Sequence, residues 1–173
     1  MTKAKKWLTA AAVFFAAGIA AGSLAAIKTS PDTLYGYFQG LAAGGISTRT
    51  GTAVCDALIL WAVLFFSAFF RFGAVTAAAA VGAKGFTDGY AVAAIMRILG
   101  IKGIGLCFFD ILGAPLALLM AALAMCRLTD EKSSAAPYLA GGGILLVMMC
   151  LAAALGSVAA LAVSKSVLSA LSL

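Results

Sequence analysis

The sequence contains no histidine and very few charged residues. Of its 173 residues, 10% are charged and 64% are hydrophobic, whereas ordinary soluble domains carry about 25% charged residues. So few charges cannot cover the surface of a soluble core, and the composition therefore excludes a soluble globular domain. The missing histidine removes the commonest general base and a frequent zinc ligand. This absence argues against triad hydrolases and intramembrane metalloproteases.

Cysteine is also scarce, and its four positions are far apart. Cys55, Cys107, Cys126 and Cys150 form no CxxC pair, and no histidine accompanies them. We interpret them as small buried apolar residues and expect no metal site, no disulfide and no cofactor.

Basic residues outnumber acidic ones and give a net charge of +6. They stand singly at the ends of apolar runs, without a basic cluster that contains interleaved aromatic residues. This distribution is typical of topology control and lipid headgroup contact. We therefore expect the lipid bilayer as a partner, and no nucleic acid.

What the sequence has in abundance is long apolar runs. A run of about 20 apolar residues can cross a bilayer. The sequence predicts an all-α fold, a polytopic transmembrane helical bundle with five spans in one domain, 1–173. The predicted spans are 7–27, 53–70, 72–96, 103–126 and 135–164, with an outer segment at 28–52.

The basic residues near the N-terminus determine the predicted orientation. Lys3, Lys5 and Lys6 precede the first run, which predicts a cytoplasmic N-terminus and, after five crossings, a C-terminus outside. Counted together with these three, six basic residues fall on the inner side and five on the outer side, so the orientation depends mainly on the first helix. The first apolar run also resembles a signal peptide, because residues 23–26 offer the small side chains that a signal-peptide cleavage site needs. Because it is longer than the usual apolar core of about 7 to 15 residues, we interpret it as a retained anchor.

The connections between spans follow from the charges and prolines. We predict a tight hairpin near 71–73 that places Arg71 on the cytoplasmic side, and an outer turn around Gly100. In the outer segment, Asp32 is placed to cap a short interfacial helix over 32–41. Two roles are open for its aromatic side, a contact for a partner outside the membrane or an interfacial anchor. The residues concerned are Leu34, Tyr35, Tyr37 and Phe38.

Three charged residues fall well inside predicted spans. Lys84 lies at the centre of the third span, Asp88 follows one helical turn later, and Asp110 lies at nearly the same depth in the fourth span. One interpretation is a polar clasp that fixes helix register. The other is an ion or proton site in which two carboxylates and an amine share protons. The lack of an internal repeat or a polar pore lining favours the clasp.

Glycines recur at helical spacing in the third span. Gly82, Gly85 and Gly89 lie on or near one side, and Gly85 with Gly89 forms a GxxxG pattern. Small residues at this spacing let helix backbones approach closely. The pattern predicts close packing within the chain or between copies in a homo-oligomer.

The third predicted span contains a glycine motif and is followed by a turn with further glycines. Residues 84–90 read Lys84-Gly85-Phe86-Thr87-Asp88-Gly89-Tyr90, and the following turn contains Gly100, Lys102 and Gly103. This stretch resembles the stage II sporulation protein M family, in which a Gly-Phe-Thr-x-Gly-aromatic core leads into a Gly-x-Lys-Gly turn. The basic N-terminus, the number of spans and a Leu-Tyr-x-Tyr element at 34–37 agree with that family. Two departures are a Leu-Gly-Ala-Pro element at 112–115, where the family has a Leu-Pro-Gln-Asn-like one, and the aspartates at 88 and 110.

The resemblance implies a non-enzymatic membrane scaffold in endospore-forming bacteria. Such a protein would recruit two cell-wall enzymes, the stage II sporulation proteins D and P, to the septum, where peptidoglycan is thinned before the forespore is engulfed. It would act in the cell membrane, at the septal and engulfing membrane during sporulation. The alternative is a small transporter or channel subunit with an ion or proton site at Lys84, Asp88 and Asp110.

Overall fold

The fold is entirely helical in the residues that the structure describes. This structure is a computed structural model, and it describes residues 3–34, 46–105, 107, 113–129 and 135–171. Its helices are α1 (Lys3–Lys28), α2 (Ile46–Ser67), α3 (Gly73–Leu99), α4 (Ala114–Thr129) and α5 (Ala135–Leu171), with a 3-10 turn at Gly100–Gly103. No strand occurs in these ranges. The predicted all-α class is confirmed.

Three of the described helices contain segments long and apolar enough to cross a membrane. These segments are Lys5–Lys28 in α1, Thr48–Ser67 in α2 and Ala136–Val158 in α5, while α4 contributes a shorter apolar helix, Ala114–Leu128. α3 has 27 residues, about 40 Å at 1.5 Å per residue, but Lys84, Asp88 and Arg97 lower its hydropathy. The helices are thus compatible with a membrane protein, and the count of five spans stays a prediction.

Helices α1 and α3 run parallel, side by side. Gly18 of α1 lies against Gly82, and Gly22 lies against Tyr90. Further along both helices, the Tyr90 hydroxyl donates to Thr29 Oγ1 over 3.3 Å. Residue numbers therefore rise together along the interface.

Two further helix pairs are antiparallel. Between α2 and α5, Tyr138 bonds to Phe65 and Ser157 bonds to Thr50, so residue numbers run in opposite directions. The end of α4 lies beside the start of α3, because a Cβ added to Gly73 would be 3.1 Å from Leu128 Cδ1. Helix direction consequently alternates from α1 to α5.

Helix α4 is central, since it contacts all four other helices. Its small and flexible residues allow this close packing. The side chains that it buries are Ala114, Ala117, Met120, Ala121, Ala124 and Met125.

A tight turn joins α2 to α3, as the sequence predicted. α2 ends at Ser67 and α3 begins at Gly73. Gly73 has no room for a side chain, because an added Cβ would lie 2.6 Å from the Ser67 carbonyl carbon. A helix leaves the carbonyls of its last turn without helical partners, and here all of them are bonded. Leu64 O accepts from Ser67 Oγ, Phe65 O from the Tyr138 hydroxyl, Phe66 O from the Phe69 N–H, and Ser67 O from the Phe70 N–H.

Two helix starts differ from the sequence expectation. α2 begins at Ile46, so residues 46–52 of the predicted outer segment are helical. The Thr52 hydroxyl bonds to Thr48 O over 2.8 Å, so this polar side chain finds its partner within the helix.

The second difference concerns the predicted interfacial helix. The prediction that Asp32 caps the start of this helix is wrong. Residues 31–34 form a helical turn that Ser30 caps, since the Thr33 N–H donates to Ser30 Oγ over 3.4 Å. Ser30 precedes Pro31, and proline favours the first position of a helix. Asp32 lies inside the first turn instead. The remainder of the predicted helix, 35–41, lies outside the described residues.

Candidate functional site

A glycine seam joins α1 to α3, and Gly18 and Gly22 form its α1 side. A Cβ on Gly18 would lie 2.9 Å from the Phe86 backbone nitrogen, and a Cβ on Gly22 would lie 2.9 Å from the Tyr90 backbone nitrogen. Both contacts are with backbone, which cannot move aside as a flexible side chain can. Only glycine fits at these two positions without separating the helices.

The α3 side of the seam consists of Gly85 and Gly89. A Cβ on Gly89 would lie 2.7 Å from the Ile19 Cα, and one on Gly85 would lie 3.1 Å from the Phe15 ring. Gly82 has more room, since its nearest neighbour, Phe14 O, would be 3.8 Å away. The predicted close packing at Gly85 and Gly89 is therefore confirmed, and it occurs within the chain.

Sequence reasoning missed the α1 half of this seam. Gly18 and Gly22 have the same four-residue spacing as Gly85 and Gly89, so the signal was present in the sequence. A GxxxG pattern on each of two helices favours their pairing. The two patterns together would have indicated an α1–α3 contact.

Polar side chains reinforce the seam toward the C-terminal ends of both helices. Ser23 Oγ donates to Gly89 O over 3.2 Å. Arg97 Nη1 lies 2.7 Å from Ala26 O, 3.1 Å from Ile27 O and 2.8 Å from Thr29 O. Because the carbonyls at the end of a helix lack helical partners and carry partial negative charge, the Arg97 guanidinium caps the C-terminus of α1. It thereby fastens α1 to α3.

Arg97→Ala is expected to lower the free energy of unfolding by about 2 kcal/mol, because a charge-assisted hydrogen bond contributes about 1.5–3 kcal/mol and α1 would lose its cap. We expect the midpoint of thermal unfolding, measured on the purified chain in mild detergent, to fall by about 4–8 °C. Lys28→Ala, at an exposed residue of the same helix end, is the control. Equal destabilisation by both variants would contradict the capping role.

The residues of the family-like motif have mainly packing roles. Gly85 and Gly89 form the seam, Tyr90 bonds to Thr29, and the Thr87 hydroxyl donates to Lys84 O within the helix over 2.8 Å. The Phe86 backbone faces Gly18 and Gly22, while its side chain is exposed.

The turn after the motif starts at a left-handed glycine. Gly100 has a φ of 55°, and its N–H bonds to Met96 O to end α3. Gly103 is buried at the end of the 3-10 turn, whose backbone includes Lys102. A turn at Gly100 is therefore confirmed, while its location on the outer side stays a prediction.

Lys84 and Asp88 form an ion pair on a different side of α3 from the seam. The Lys84 ammonium donates to Asp88 Oδ1. Asp88 is only 4% exposed, and its second oxygen, Oδ2, has no hydrogen-bond partner among the described residues. Ala77 and Val81 precede the pair at helical spacing on the same face of α3. Both belong to the hydrophobic core. The pair therefore lies toward the inside of the bundle.

Most of the other predicted site residues lie outside the described ranges. Asp110, Tyr35, Tyr37 and Phe38 lie outside the described residues, so the proposed three-member polar cluster stands here as a pair. Leu34 is only 1% exposed. Its side chain is thus covered within the chain, and its role as a partner contact stays a prediction.

A stack of aromatic rings joins α2 to α5. The ring centroids of Trp61 and Phe65 are 4.7 Å apart, and those of Phe65 and Tyr138 are 5.1 Å apart. Trp61 Nε1 donates to Gly142 O over 2.8 Å, and the Tyr138 hydroxyl donates to Phe65 O over 2.6 Å. Each buried aromatic polar atom thus has a partner.

Tyr138→Phe is expected to lower the free energy of unfolding by about 1–1.5 kcal/mol, because the ring stack remains while the Phe65 carbonyl loses its donor. Chemical unfolding in detergent, followed by tryptophan fluorescence of the neighbouring Trp61, measures this change. The control is Val147→Ala, at an exposed residue of the same helix. An unchanged stability in Tyr138→Phe would contradict the role of the hydroxyl.

Arg127 covers the end of this stack that lies near the α2–α3 turn. Its guanidinium carbon lies 4.8 Å from the ring centroid of Phe69 and 4.8 Å from that of Tyr138, a cation–π arrangement on two faces. Nη1 of Arg127 is buried and has no hydrogen-bond partner among the described residues.

The described side chains offer packing and ion pairing rather than a metal centre. Within those ranges, no group of three or more His, Cys, Asp or Glu is placed to hold a metal ion. Two arrangements therefore stand out for function, the α1–α3 seam that contains the motif and the buried Lys84–Asp88 pair. No family model matches this chain, and neither a curated protein nor a solved structure is similar to it.

Proposed function

We propose that this protein is a non-enzymatic membrane scaffold that recruits peptidoglycan-degrading enzymes to the septum during sporulation. The proposal rests on the resemblance to the stage II sporulation protein M family and includes the stage II sporulation proteins D and P as partners. It places the chain in the bacterial cell membrane with five spans, a cytoplasmic N-terminus and an external C-terminus. The alternating helix directions support this topology.

One observation carries the proposal, the use of the motif residues in the α1–α3 interface. Gly85 and Gly89 hold the two helices at backbone contact, and Tyr90 bonds across the interface. A scaffold needs a fixed arrangement of membrane helices more than it needs a reactive group. A motif devoted to helix packing supports such a role.

Recovery of the partners from sporulating cells tests this function. The full chain carries an affinity tag, the membranes are solubilised in a mild detergent, and the bound proteins are identified by mass spectrometry. We expect both wall enzymes with the wild-type chain and with Gly143→Ala, and loss of both with Gly22→Ala at equal expression. Failure of the wild-type chain to recover either enzyme would overturn the scaffold.

The buried Asp88 favours a second candidate function, an ion or proton pathway. A carboxylate inside an apolar bundle with one unpartnered oxygen is costly, and such residues often mark ion or proton routes. Asp88→Asn keeps the shape of the side chain and removes its charge. The purified wild-type and variant chains are compared in proteoliposomes for proton and sodium flux, and in cells for enzyme recovery. Flux that the variant loses while its enzyme recovery stays intact would assign Asp88 to an ion pathway rather than to a clasp.

A further inference from the structure

The α2–α3 turn exposes aromatic residues around an arginine. Phe70 is 64% exposed and Phe72 is 74% exposed, and Arg71 between them is also exposed. Large apolar side chains exposed next to a cation are typical of the boundary between lipid headgroups and acyl chains. The turn is thus suited to the surface of a bilayer.

Arg127 brings a second guanidinium to the same end. It lies over Phe69, two residues before Arg71, and the next residue of α4, Leu128, lies beside Gly73. The end of α4 therefore flanks the turn on both sides of Arg71. Nη1 of Arg127 lacks a hydrogen-bond partner among the described residues, and the ion pair seen in those residues joins Lys84 to Asp88 instead.

The whole end of the bundle is basic in its described part. Because α1 runs parallel to α3, the exposed Lys5 and Lys6 at the start of α1 lie at this end too. The nearest acidic residue of α2 is Asp56, eleven residues before the end of that helix, which is about 16 Å along its axis. Asp130 and Glu131 follow α4 outside the described residues.

We propose that the α2–α3 turn and the end of α4 bind the headgroup phosphate of an anionic phospholipid. Arg71 and Arg127 hold the phosphate, and Phe70 and Phe72 lie among the adjoining acyl chains. Guanidinium groups suit phosphate because their N–H donors match its oxygens in pairs. The exposed phenylalanines favour a lipid over a soluble anion. This site is independent of the scaffold function and of the Lys84–Asp88 pair.

Native mass spectrometry of the full chain, released from nanodiscs with equal parts phosphatidylglycerol and phosphatidylcholine, tests the proposal. We expect the wild-type chain to retain phosphatidylglycerol preferentially. Arg71→Gln and Arg127→Gln are each expected to reduce that retention about fivefold, the effect of one basic residue near an anionic surface. Lys28→Gln, at the opposite end, is the matched control and is expected to retain as much as the wild type.

Several outcomes would overturn the site. Equal retention of the two lipids by the wild type would do so, as would an equal loss in Lys28→Gln, which would indicate a general charge effect. Preference for phosphatidylglycerol that appears only after Asp130→Asn with Glu131→Gln would mean that the chain's own loop occupies the arginines. Because Arg127 also stacks on two rings, its variant can lose stability, and Arg71→Gln, at an exposed turn residue, then decides.

Discussion

Gly22→Ala is expected to lower the free energy of unfolding by about 2–3 kcal/mol, the cost of forcing an extra methyl group into a well-packed site. The methyl carbon would lie 2.9 Å from the Tyr90 backbone nitrogen. Neither helix can relieve this contact by a rotamer change, because both partners are backbone. The α1–α3 interface must therefore open along the seam. Thermal unfolding of the purified chain in detergent, followed by near-ultraviolet circular dichroism, measures the loss.

A variant on the facing helix and a matched control sharpen this result. Gly89→Ala is expected to have the same effect, since its methyl group would lie 2.7 Å from the Ile19 Cα. Gly143→Ala in α5 is the control, because nothing lies within 4 Å of a Cβ there. Alanine is the better helix former by about 1 kcal/mol, so this control is expected to be neutral or stabilising. Destabilisation of all three variants alike would contradict a specific seam.

The sequence could predict the helices and their tight connection because apolar runs and breaks in them are local signals. The long run at 7–27 became α1, and Arg71 marked the turn between α2 and α3. The start of α2 escaped prediction, because polar residues between 46 and 56 resemble a loop. Thr52 instead bonds back to its own helix at Thr48 O, and Thr50 accepts a hydrogen bond from Ser157 of α5.

Contacts between distant residues could not be read from local patterns. Arg97 ends a predicted span, and its charge indicated only a membrane boundary. Its role as the cap of α1 depends on the parallel arrangement of α1 and α3, which brings it to Ala26 and Thr29. Tyr138 likewise reaches Phe65 only because α2 and α5 are antiparallel. Such roles follow from topology, which spacing along the chain does not fix.

The Lys84–Asp88 pair was predictable from its i, i+4 spacing and from its position inside the third predicted span. Spacing places the two side chains on one face, and the core stripe of Ala77 and Val81 turns that face inward. The Asp88 carboxylate is therefore nearly buried, and the Lys84 ammonium balances its charge. The energetics of this pair give the second large prediction.

Lys84→Met is expected to lower the free energy of unfolding by about 3 kcal/mol, because removal of one member of a buried ion pair leaves the other charge unpaired. Asp88 would then keep its 4% exposure without a cation. Asp88→Leu is expected to cost less, about 1 kcal/mol, since the side chain of Lys84 is 24% exposed and its long stem can carry the ammonium toward polar surroundings. Chemical unfolding of each purified variant in detergent measures these changes.

The double variant, Lys84→Met with Asp88→Leu, separates a packing role from an ionic one. Apolar residues often replace a buried ion pair without loss of stability. The double variant is therefore expected to be more stable than Lys84→Met by about 2 kcal/mol. The same variant is then tested for recovery of the wall enzymes. Restored stability with full recovery means that the pair only fixes the register of α3, as a clasp does. Restored stability with lost recovery would contradict the clasp, since the fold would be intact while the function required the charges themselves.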